Sequence, residues 1–125
     1  MDPRTALWEL ASTHPALERV VSTFESEFGS DIPTSALGEL GVMLVDLIND
    51  IEPTAVEQLF EMVELHLACG DEPTETAVAT GFLEAVVSRG ESSGRGDAML
   101  SHFGPKARQF VSEWNESLGI VSDEN

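Results

Sequence analysis

Residues 53–70 read PTAVEQLFEMVELHLACG, the pattern of an amphipathic helix. Val56, Leu59, Phe60, Val63 and Leu67 recur at spacings of three and four, which gathers them on one side of an α-helix. Pro53 sits where the first helical N–H has no partner to lose, and Gly70 follows the last apolar residue, where a C-cap is wanted. The same punctuation repeats along the chain. Prolines at 3, 15, 33, 53, 73 and 105 open apolar-periodic segments, and glycines at 29, 70, 90 and 119 close them.

Working outward, the spacing predicts a short helix over about 3–12 capped by Asp2, then one over 15–28 with Leu17, Val20, Val21, Phe24 and Phe28 on one stripe. A third spans about 34–50 and carries Leu37, Leu40, Leu44, Leu47, Ile48 and Ile51. The helix over 53–69 is the fourth, and a fifth over 73–88 carries Val78, Phe82, Leu83, Val86 and Val87. Arg89 to Gly96 reads as a polar, glycine-rich connection, and 89–97 is expected to be a flexible loop. A short helix then holds Met99, Leu100 and Phe103, and a last one from Pro105 aligns Phe110, Val111, Trp114 and Leu118 up to Gly119. Trp114 belongs in the core on this pattern, and Trp8 lies partly exposed. No segment alternates as a half-buried strand does. The expected fold is all-α: one domain over 1–125, a compact antiparallel bundle of six to seven helices, with consecutive helices packed on each other.

The chain has 125 residues and 42% hydrophobic content, enough for a core, yet its formal net charge is −17. That charge is uneven. Residues 1–19 carry three acids and two arginines, and residues 89–125 carry six acids and four cations. The remaining 14 acids lie in residues 20–88, which contain no Lys or Arg. Like charge repels phosphate, which argues against direct contact with nucleic acid or an anionic membrane. The apolar runs are too short to span a bilayer, and no leader-like stretch follows Met1, so a cytoplasmic protein is expected.

Catalytic and metal chemistry find little footing. There is one cysteine, Cys69, and the histidines His14, His66 and His102 are far apart in sequence, so no zinc pattern forms. Glu61 and Glu64 precede His66 by five and two residues, which misses the Glu-x-x-His spacing of di-iron bundles. There is no Gly-x-Ser-x-Gly elbow, and the glycine-rich stretch lacks the lysine of a phosphate loop. No catalytic residue, metal or cofactor is expected. Cys69 reads as a small buried hydrophobe, although it shares a helix face with His66.

Several short motifs together resemble a bacterial domain-of-unknown-function family of small acidic helical proteins. They are Leu59-Phe60-Glu61, Gly70-Asp71-Glu72, Gly81-Phe82-Leu83-Glu84 and Phe103-Gly104-Pro105-Lys106, with fainter likeness at His14-Pro15-Ala16-Leu17 and Gly38-Glu39-Leu40. Phe103 departs from the family's usual leucine, and the 89–97 stretch is richer in glycine. The resemblance implies a role beside polymorphic toxins, as an immunity protein, and brings no catalytic residues with it. On the residues themselves, Gly81 reads as a close-packing point, and Glu84 as a contact residue or a partner for Arg108.

The expected function is a non-enzymatic inhibitor that covers a basic protein partner, such as a toxin domain, with an acidic surface. The candidate binding residues are Asp46, Asp50, Glu57, Glu61, Glu64, Asp71, Glu72, Glu75 and Glu84. Three alternatives remain open. The first is an acidic face without a partner, as in proteins adapted to high salt. The second is a nucleic-acid mimic, which needs the third and fourth helices side by side because Glu57 to Glu64 supply only three charges over about 10 Å. The third is a small-ligand or enzymatic bundle with a pocket near His66 and Cys69.

Overall fold

Proline, rigid at φ near −65°, begins helix after helix. The structure, a computed structural model, describes residues 2–117, with side chains to Trp114. Its elements are α1 (Pro3–Ala11), α2 (Pro15–Phe28), α3 (Pro33–Leu47), a 3-10 turn (Ile48–Asp50), α4 (Pro53–Cys69), α5 (Glu72–Ala77), a π-helical turn (Val78–Leu83), α6 (Glu84–Ser92), α7 (Gly96–Leu100) and α8 (Pro105–Ser117). The described chain contains no strand, so the all-α expectation holds. Leu118 and Gly119, expected to end the last helix, lie outside the described residues.

Side chains close several helix starts. Asp2 Oδ1 accepts from the Thr5 N–H at 2.8 Å, His14 Nδ1 from the Ala16 N–H at 3.0 Å, and Asp71 Oδ1 from the Thr74 N–H at 3.0 Å. The C-termini differ from expectation. Gly29 has φ +89° and ends α2, but Gly70 ends α4 at φ −72°, in extended backbone. Gly90 does not end a helix at all: it is buried inside α6.

The segment expected to be one regular helix over 73–88 starts at Glu72 and continues to Ser92, with a π turn in its middle. That turn crosses α3 with almost no side chain between the two backbones. A Cβ on Gly41 would lie 2.7 Å from the Phe82 carbonyl oxygen, and one on Gly81 would lie 2.7 Å from that of Thr34. Gly81 is therefore the close-packing point expected of it. Around this crossing the core contains Leu37, Leu40, Leu44, Phe82, Leu83 and Val86, all fully buried.

The 89–97 stretch is corrected. Helix reaches Ser92 and resumes at Gly96, leaving only three residues as a turn. The reason is packing: Gly90 lets α7 approach α6, with Met99 buried between them, and the Arg95 guanidinium donates to the Val45 carbonyl at 2.6 Å. Consecutive packing holds for α1 on α2, α2 on α3, α4 on α5 and α6 on α7, but α4 does not pack closely on α3 and lies on α1 and α8 as well. Trp8 is partly exposed as expected, and Trp114, expected to be buried, is only half-buried at the edge of the core. No described helix is long and apolar enough to cross a membrane.

Candidate protein-binding face

The apolar stripe of α4 faces inward, which turns Glu57, Glu61 and Glu64 toward the turn between α7 and α8. They line a shallow cleft of about 350 Å³ whose floor is the Phe60 edge and whose far wall is Ser101, His102 and Gly104. The His102 ring stacks on Phe60, with centroids 5.6 Å apart and planes 11° from parallel. The three carboxylates have different duties. Glu64 accepts from the backbone N–H groups of Lys106 and Ala107, both at 2.9 Å, so it caps α8 from a neighbouring helix. Gly104 gives it room, because a Cβ there would lie 2.5 Å from the Glu64 Cδ. Glu57 and Glu61 are exposed, and no described ion pair or side-chain hydrogen bond involves either. A guanidinium entering this cleft would meet two carboxylates beside a stacked ring pair, a setting that suits its planar, fork-shaped group.

The other expected site residues do not join this cleft. Asp46 is engaged: its Oδ1 accepts from the Arg89 Nε at 2.7 Å, and this pairing raises the Arg89 pKa. Asp50 is exposed in the 3-10 turn. Asp71 caps α5, and the hydrogen bonds from Thr74 hold its carboxyl below the ordinary range. Glu72 and Glu75 sit in the first turn of α5, where the helix dipole favours them. Asp71 lies beyond the end of α4, more than two helical turns from Glu61. Glu84 is exposed on α6 and does not pair with Arg108, whose guanidinium instead donates to the carbonyls of Phe103 and Leu100, each at 2.9 Å. The single ridge expected over helices three to five is thus several separate groups. α3 and α4 do not pack closely on each other.

Cys69 is also corrected: it is exposed, as the last residue of α4. His66 is buried, with Nε2 2.9 Å from Glu9 Oε1 on α1. The two side chains thus differ sharply in exposure. Among the described residues no three His, Cys, Asp or Glu side chains converge as a metal site. A second ion pair ties α1 to α2: Arg4 donates to both oxygens of Glu25, at 2.8 and 2.9 Å. Arg4 lowers the Glu25 pKa, helped less by the Trp8 indole, whose buried N–H meets no partner in full hydrogen-bond geometry.

The chain is thus an all-helical protein with an open acidic cleft beside α4. The domain of unknown function DUF7674 matches residues 9–119, and the chain belongs to that family. No curated protein and no solved structure matches it significantly.

Proposed function

We propose that the chain is a non-enzymatic, immunity-like inhibitor that binds a basic protein through the acidic cleft of α4 and covers that partner's working surface. One observation carries this reading: Glu57 and Glu61 stand exposed and unneutralised beside the Phe60–His102 stack, in a stretch of 69 residues (20–88) without Lys or Arg. The neighbouring acids that serve the fold, Asp46, Glu64 and Asp71, each have an identified partner. Like charges four residues apart cost an isolated helix a few tenths of a kcal/mol, so Glu57 and Glu61 contribute nothing favourable to α4 alone. Opposed to Lys or Arg, they would speed association by steering and fix the register of docking.

The test uses the intact chain as bait for cell extract, beside an E57Q/E61Q variant. The expected result is a basic protein captured by the wild type at low salt, weakened at least tenfold by the double substitution, and neutralised in its own activity when bound. A captured protein that binds both baits equally would overturn the reading.

A further inference from the structure

The apolar stripe of α2 is wider than the core it meets. Leu17 and Val21 are buried, but Val20 and Phe24 are only partly covered and Phe28 is 60% exposed. The sequence pattern places all five inside. Val20, Phe24 and Phe28 repeat every four residues along α2, and across from them Met43 and Leu47 do the same on α3. Together they line an open groove of about 500 Å³ running along both helices. Phe24 and Phe28 lean on each other within it, centroids 4.9 Å apart.

We infer that this groove is a docking site for an amphipathic helix of a partner protein, apolar on one side and carrying Lys or Arg at one end. Two parallel ridges at four-residue spacing form the seat that a third helix fills, and Met43 gives that seat an adaptable wall. From Val20 to Phe28 is about 12 Å of axis, so a ligand helix of about three turns covers it. The charges around the groove are polarised. Glu27 stands at the end near the α2–α3 turn, Glu39 lies six residues into α3 towards the middle of the groove, and Arg19 stands towards the other end. A helix with cations at one end and a carboxylate at the other complements both. A second copy of the chain does not fit as well, since each copy carries a net charge of −17. This inference is independent of the α4 reading, because the groove shares no residue with that cleft.

The test uses a synthetic helical peptide of about sixteen residues with a leucine stripe, lysines at one end and a glutamate at the other. A second peptide has the same charges and serines in the stripe. Binding is followed by fluorescence anisotropy of labelled peptide in about 0.3 M salt, where surface attraction alone is weak. The leucine peptide is expected to bind the wild type, at least tenfold more weakly to F28S, and severalfold more weakly to E27Q/E39Q; the serine peptide is expected not to bind. All three substituted residues are exposed, so these variants fold. Equal binding of the leucine peptide to wild type and F28S overturns the proposal. So does sedimentation of the free wild type as a dimer that F28S converts to monomer, which would make a second copy the occupant. Loss through E57Q/E61Q with F28S unaffected would place the peptide in the α4 cleft and equally overturn it.

Discussion

Gly41→Ala adds one methyl group where α3 crosses the π turn. The new Cβ would lie 2.7 Å from the Phe82 carbonyl oxygen, 3.0 Å from the Ala85 Cβ and 3.3 Å from the Val86 Cγ2. None of these neighbours can swing aside, because one is backbone and another is a Cβ. Restoring ordinary contact therefore means separating the two segments by about 0.7 Å in a close-packed core. Overpacking of this kind costs about 1–3 kcal/mol, while alanine returns up to about 1 kcal/mol of helix propensity. The net expectation is a loss of about 1–2 kcal/mol, or about 3–8 °C in Tm. Gly38, one turn earlier on the same helix, is the control. Its Cβ would meet only the Gly81 carbonyl at 3.6 Å, an ordinary contact, so Gly38→Ala keeps the propensity gain and raises stability by about 0.5–1 kcal/mol. Thermal and urea unfolding followed by circular dichroism give both numbers. If Gly41→Ala stabilises as Gly38→Ala does, the backbone crossing is not as described and the reasoning fails.

Three further outcomes are expected. Glu64→Ala removes both hydrogen bonds at the start of α8 and is expected to cost about 1 kcal/mol in urea titrations, whereas Glu57→Gln and Glu61→Gln leave stability unchanged or slightly raised. Asp71→Asn is expected to lower Tm at neutral pH. The folded Asp71 carboxyl titrates below its ordinary 3.8, so its contribution is present above that value and is lost as pH falls through the folded pKa; the difference from wild type should close there, and a constant difference down to pH about 2 contradicts the assignment. With 14 acids in residues 20–88, Tm is expected to rise with added salt, and a flat response means that the carboxylates do not repel one another appreciably.

The helices could be read from the sequence because their determinants are local. Pro53 and the Val56–Leu67 stripe define α4 to the residue, and Asp2 caps α1 as its side chain requires. The π turn was hidden, since its setting depends on Gly41 and Gly81 meeting backbone forty residues away. Gly90 and Arg95 misled for the same reason: they have loop chemistry locally, but α7 packs on one and the Val45 carbonyl binds the other. The acidic residues were the least legible. Charge counts locate carboxylates along the chain but not their partners, so Asp46 and Glu64 looked identical to Glu57 and Glu61 until Arg89 and the α8 N-terminus came into place. The groove on α2 was visible as a stripe, but only the packing showed that Phe28 is left uncovered.

If Glu57 and Glu61 form the face that meets a basic partner, association must depend on their charge. The measurement is the association rate of the chain with the protein it captures, recorded from about 0.05 to 0.5 M salt for the wild type and for E57Q/E61Q. The wild-type rate is expected to fall steeply with salt, and the double variant to be slow at low salt and nearly flat across the range. Rates that are equal for the two proteins and independent of salt would contradict it.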